Sequence, residues 1–246
     1  MVLVFVDGLS VKANAMILHV IVVSLAGAFL CLDRAVLQVM ISRPIVAAPA
    51  IGMILGDPYT GLIAGAFIEL FWIDRLPIGA YIPPNDTMAS ILITASAIES
   101  ARLLGNMSQG VIALSVLLFI PLGFLAQRME LWINHGSEKS TREALIDAAR
   151  GDIQAIARKH LSAILKTYLL SAAFIVTALP IGIAATTWLY PRLAPFVIRG
   201  LTLLYSLLPL LGAAVALNTI SIRGTVPIFC AVFLAATVVI GFIRSS

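Results

Sequence analysis

Charge is scarce in this 246-residue chain: Asp, Glu, Lys and Arg make up 11% of it, while 61% is hydrophobic. A soluble domain carries roughly 25% charged residues, so a fully water-exposed surface is excluded. Cysteine is nearly absent. The two residues, Cys31 and Cys230, both lie in apolar stretches, with no CxxC and no spacing for a disulfide framework or a metal. The three histidines, His19, His135 and His160, do not cluster. No metal, cofactor or catalytic group is therefore expected. Acidic residues stop at Asp152. Beyond it the only charges are Arg158, Lys159, Lys166, Arg192, Arg199, Arg223 and Arg244. Spread near segment ends, these suit interface anchors and positive-inside signals, not a nucleic-acid surface.

What is abundant is apolar sequence. A mean hydropathy of +1.05 marks an integral membrane protein. The expected fold class is an all-α bundle of roughly six to eight transmembrane and re-entrant helices. No cleavable leader is expected, because no small-residue cleavage site stands out before Arg34.

The stretch from Arg43 to Ser90 carries the most information. It is apolar, yet Gly and Pro divide it into pieces too short for ordinary spans. Ser42 is a candidate N-cap, with Pro44 in the first turn. Gly56-Asp57-Pro58 then reads as a C′ glycine, an N-cap and an N1 proline. A helix confined to 44–55 rises about 18 Å, too little for a hydrocarbon core of about 30 Å. A re-entrant helix shielded by protein satisfies that length. The next helix runs from Pro58 to about Ile73. Gly61, Gly65 and Glu69 recur every four residues and share one face, and small residues there admit a close neighbour. Glu69 should point into the bundle, either as a packing carboxylate or as a ligand group. After the Gly- and Pro-rich 74–84, Asn85 or Asp86 caps a helix from Thr87 to about Leu104.

Ser108 to Ala126 is a further apolar helix. Residues 127–166 form the long polar region and read as an amphipathic connector on the membrane surface, helical from Thr141 to His160. Its basic content favours the cytoplasmic side. Apolar segments at 167–189, 196–217 and 226–243 close the chain. Asn218 stands at a second broken region before Gly224 and Pro227. Three parts result: 1–126 with its re-entrant core 43–90, the connector 127–166, and 167–246.

The ordered set Ile41-Ser42-Arg43-Pro44-Ile45-Val46-Ala47-Ala48-Pro49, Leu55-Gly56-Asp57-Pro58, Leu62 to Leu70 with Gly65 and Glu69, and Gly79 to Ser90 with Pro83-Pro84-Asn85-Asp86-Thr87 resembles one family. It is similar to the IIC subunits of mannose/fructose/sorbose-type sugar phosphotransferase systems (PTS). The resemblance covers most of the chain, densely from Leu32 to Ser90 and weakly in the connector. It implies sugar translocation by an elevator-like core, a IID membrane partner, and a trimer of heterodimers in a bacterial inner membrane. It also implies phosphorylation of the sugar on a separate soluble IIB subunit, supplied through IIA and HPr. One departure stands out: many relatives carry Asp where this chain has Asn85, which keeps an acceptor but not the charge.

A sugar needs mixed donors and acceptors. The candidate substrate residues are Glu69, Asn85, Asp86, Thr87, Asn218, Gln38 and Arg43. Arg43 stands as an interface arginine, as a partner of Glu69 or Asp57, or facing an incoming phosphoryl donor. Trp72 and Tyr81 read as interfacial aromatics or as stacking platforms. Two other functions fit the same residues. One is a proton-coupled secondary transporter with Glu69 as relay; the other is a non-transporting membrane subunit that docks a soluble regulator.

Overall fold

The computed structural model describes residues 2–75, 79, 81–219, 227, 230, 231, 234 and 235. These hold seven α-helices. They are α1 (Val2–Leu32), α2 (Pro44–Ile54), α3 (Pro58–Phe71), α4 (Asp86–Leu104), α5 (Gln109–Ala149), α6 (Ile153–Leu189) and α7 (Pro195–Thr219), with a 3₁₀ turn at Tyr190–Arg192. Five of the helices are long and apolar enough to cross a membrane. The all-α membrane bundle is as the composition requires.

The short helices α2 and α3 form the re-entrant hairpin. Gly56 takes a left-handed φ of 77°, and the Asp57 side chain accepts from Thr60 N–H at 3.1 Å. Both stop-and-start signals thus act as read. Ser42 does not cap α2. Arg43 occupies the N-cap position without a side-chain bond, and the Ser42 hydroxyl instead donates to Asp33 Oδ2 at 2.9 Å. The glycine face of α3 lies against α2: a Cβ at Gly61 would collide with the Ala48 carbonyl, and one at Gly65 with the Pro44 carbonyl. Only glycine permits that backbone approach.

Helix α4 is the centre of the bundle. Of its span, 83% is buried inside the protein, against 17% for α7. Small and hydroxylic residues (Ala89, Ser90, Thr94, Ala95, Ser96, Ala97, Ser100) let α2, α3, α5 and α6 crowd around it. Asn85 supplies its N-cap through Met88 N–H at 2.8 Å, and Gly105, at φ 72°, ends it.

The polar connector takes a different form from the sequence expectation. Helix α5 runs without a break from the apolar segment to Ala149. Gly151 turns the chain at φ 71°, and Asp152 caps α6 through Ala155 N–H at 2.9 Å. The boundaries at 126 and 166 therefore fall inside helices, and the reading of one helix over 141–160 is divided by this turn. Two cation–π pairs, Lys166 over Trp132 at 5.4 Å and Arg192 over Trp188 at 4.4 Å, lie at the two ends of the apolar part of α6, positions that suit interface anchors. Lys166 to Trp188 rises about 33 Å along α6, close to a hydrocarbon thickness. The hairpin 127–166 is thus the polar continuation of two helices whose apolar parts are long enough to span.

Candidate functional site

A cavity of about 400 Å³ opens at the end of the bundle nearest the polar hairpin. Its walls come from the end of α1, the entry to α2, the exit of α3, the extended segment 81–85 with the first residue of α4, and the middle of α5 and α6. The extended segment is laid along α5 by Asn85 N–H donating to the Gly123 carbonyl at 2.9 Å, and by Gln127 Nε2 donating to the Ile82 carbonyl.

Arg34 is the charged centre of the cavity. Its guanidinium donates to Asp86 Oδ1 and lies 3.8 Å from Glu130 Oε1. Glu130 also accepts from Asn85 Nδ2 at 2.6 Å. Two carboxylates thus share one guanidinium, and Asn85, the N-cap of α4, links Glu130 to the start of that helix. Arg43, Arg75, Ser42, Asn134, Thr167, Tyr81 and Trp72 complete a wall of mixed donors, acceptors and aromatic surface. Trp72 is buried, not interfacial. It packs against Gly123, where a Cβ would lie 2.6 Å from its ring, and edge-on to Phe124 at 5.8 Å.

The entry loop 33–42 is drawn tight by Asp33, which is 1% exposed. Its carboxylate accepts from Val39 N–H at 2.8 Å, Ser42 N–H at 3.0 Å and the Ser42 hydroxyl. Burial raises its pKa, but these donors outweigh it and hold the carboxyl below the usual range. They also support two left-handed residues, Gln38 at φ 53° and Met40 at φ 68°, conformations that need surrounding bonds to persist.

The structure sorts the sequence candidates. Asp86 and Arg43 line the cavity. Asn85 and Thr87 are fully buried just behind it, Thr87 donating to the Ser42 carbonyl at 2.6 Å. Glu69 sits outside the lining. It accepts from Arg43 Nη1 at 2.9 Å and from Ile45 N–H at 3.4 Å, a carboxylate at the N-terminus of α2. Gln38 is exposed on the entry loop and also lies outside the lining. Asn218 falls within α7, and its side chain lies outside the described residues, as do Ser221 to Gly224. Sequence reasoning passed over Arg34 and Glu130. Arg34 follows the first apolar segment and Glu130 lies inside the polar 127–166, and neither position marked a ligand group. The signal available for Glu130 was an acid only four residues past the end of the apolar segment at Ala126.

A helical membrane bundle with a re-entrant hairpin beside a polar, half-enclosed cavity has the architecture of a membrane transport protein. The family model described as the PTS system sorbose-specific IIC component matches residues 17–243. The chain belongs to that family. It is 25% identical to the PTS system mannose-specific EIIC component of Escherichia coli over 89% of this chain and 79% of that one. It is 25% identical to the sorbose-specific EIIC component of Klebsiella pneumoniae over 78% and 70% of the two chains. A solved structure described only as a membrane protein superposes with TM-score 0.67 at 25% identity, covering 94% of this chain and 92% of that one. The cryo-EM structure of the mannose transporter ManYZ with microcin E492 shares the fold, with TM-score 0.57 at 24% identity and coverages of 94% and 93%.

Proposed function

We propose that this chain is the sugar-translocating IIC subunit of a mannose-family phosphotransferase system in a bacterial cytoplasmic membrane, and that the cavity around Arg34 holds the sugar. The observation that carries the site is the cavity itself. Its volume of about 400 Å³ falls in the roughly 300–1,000 Å³ range of small-molecule sites. Its wall presents guanidinium, amide and hydroxyl donors beside the Asp86 and Glu130 acceptors, as a neutral polyol requires. Tyr81, partly exposed, and the buried Trp72 add aromatic surface to the same wall.

The chain works with a IID membrane subunit in a trimer of heterodimers. Its role is transport: a separate soluble IIB subunit, charged by IIA, phosphorylates the sugar. The polar hairpin 127–166 marks the cytoplasmic side by its basic residues, so the cavity opens where IIB works.

Reconstitution with IID and the soluble subunits tests this reading over a panel of hexoses and amino sugars. Uptake should depend on phosphoenolpyruvate, and Asp86→Ala should lose sugar binding while the complex still assembles. Uptake driven by a proton gradient without phosphoenolpyruvate would sink it, as would docking of the soluble subunit without any sugar binding.

A further inference from the structure

The hairpin α2–α3 is fastened to α4 at two places. At the cavity end the fastening is one neutral bond, Thr87 Oγ1 to the Ser42 carbonyl at 2.6 Å. At the far end Arg102 reaches out from the last turn of α4. Its Nη2 donates to the Leu55 carbonyl at the hairpin tip, and its Nη1 donates to Glu99 Oε1 at 2.6 Å. Glu99 is 4% exposed, and its other partner is His19 on α1, with Nδ1 3.0 Å from the same oxygen. Three elements therefore meet at one guanidinium: α1, α4 and the hairpin tip.

Each part has a physical reason. Leu55 is the C-cap of α2, so its carbonyl belongs to the unsatisfied end of a helix that stops inside the bundle. A cation there is favourable. Asp57, the nearest carboxylate at the tip, is already committed to Thr60 through both oxygens. It does not draw Arg102 away. Glu99 holds the guanidinium on the other side and is itself too buried to remain unpaired. A rigid planar fork that presents separate nitrogens to two partners set apart is a property of arginine that the single ammonium of lysine lacks.

The position matters as much as the bonds. Asp86 and Glu99 are separated by about 20 Å along α4. The cavity lies at the Asp86 end, and the α2–α3 tip meets α4 at the Glu99 end. A solute leaving the cavity along the hairpin meets the tip where Arg102 pins it.

We propose that Arg102 is a positioning residue for transport: it latches the hairpin tip to α4 and closes the side of the membrane opposite the cavity mouth. This inference rests on the transport reading but is tested without sugar. Ala35 is exposed and lines the cavity. In the full membrane complex carrying Cys31→Ala and Cys230→Ala, Ala35→Cys supplies the only thiol of this chain. A membrane-impermeant maleimide is applied to vesicles of each orientation, sidedness being set by proteolysis of the 127–166 hairpin.

With Arg102 in place, labelling should come from the hairpin side. Arg102→Gln should raise labelling from the opposite side by about tenfold or more, the loss of one charge-assisted bond. Arg102→Lys should raise it too, since it keeps the charge facing Glu99 but not the fork. The double variant Glu99→Gln/Arg102→Gln removes the buried charge along with its partner, so the fold is kept, and it should also label from the opposite side. Wild-type labelling in Arg102→Lys beside raised labelling in Arg102→Gln would reduce Arg102 to neutralising Glu99 and overturn the latch. Unchanged labelling in the assembled double variant would overturn it as well. Normal sugar uptake by the unmodified complex keeps either failure separate from failure of the transport reading.

Discussion

The two ends of α4 carry the same kind of chemistry to opposite purposes. At its N-terminus Arg34 faces Asp86 and Glu130 across a cavity, each side chain about one-fifth exposed. At its C-terminus Arg102 faces a nearly buried Glu99 and spends its second nitrogen on a backbone carbonyl. A guanidinium beside open space can exchange a protein partner for a ligand. Arg102 is itself 43% exposed, so the difference lies in its partners: a nearly buried carboxylate and a helix-end carbonyl fasten it to the fold. The burial of the partners, not the exposure of the arginine, separates a closing end from a binding end.

Arg34→Ala should break the open end most severely. It leaves Asp86 and Glu130 facing each other without their cation. Sugar uptake should vanish, and stability should fall by about 2 kcal/mol after allowing for residual exposure. Normal uptake by this variant would remove Arg34 from the site. The hairpin between the two ends is tested by Gly65→Ala, whose methyl group would meet the Pro44 carbonyl. A loss of about 1–3 kcal/mol is expected, read as a lower melting temperature of the solubilised complex; an unchanged melting temperature would mean that the helices are not so closely packed.

Asn85 sharpens the comparison further. Its Nδ2 donates to Glu130 at 2.6 Å, so Asn85→Asp would set two carboxylates at hydrogen-bond distance. Stability should fall by about 1–2 kcal/mol, and Glu130→Gln in the same chain should recover most of it. A double-mutant cycle with no coupling would refute the pairing. The smallest effect belongs to the cavity-end fastening. Thr87→Val removes one hydroxyl bond and should cost about 1 kcal/mol. If uptake stays normal while Arg102→Lys impairs it, the far fastening is the one that matters.

Local signals in the sequence were reliable where the cause was local. Gly56, Asp57 and Pro58 broke and restarted the chain as their backbone chemistry requires, and Asn85 capped α4. The Gly61-Gly65-Glu69 face did admit a neighbour closely. Glu69 then bonded the N-terminus of that neighbour, α2, instead of lining the cavity, because the small residues brought Arg43 and Ile45 within its reach. The connector differs in form for a different reason. Polarity alone does not distinguish one surface helix from a hairpin of two; the uninterrupted backbone of α5 and the turn at Gly151 make 127–166 a hairpin.

The site was only half legible. Asp86 and Arg43 stood out by their setting in an apolar, broken stretch, whereas Arg34 and Glu130 had nothing local to mark them. Glu130 lies 45 residues from Asn85, and Arg34 lies 52 from Asp86. No periodicity in a single chain reports contacts at such separations.

By itself the sequence determined that this protein lives in a membrane, that it is helical, and that its chain breaks between Arg43 and Ser90. Those follow from transfer free energy and from the backbone limits of Gly and Pro, which act residue by residue. Only the tertiary structure decided which carboxylates meet which guanidinium, where a cavity opens, and that the hairpin tip is tied to Arg102. Those depend on helices distant in sequence sharing one buried axis, α4, and a charge takes its role from the partners that axis brings to it.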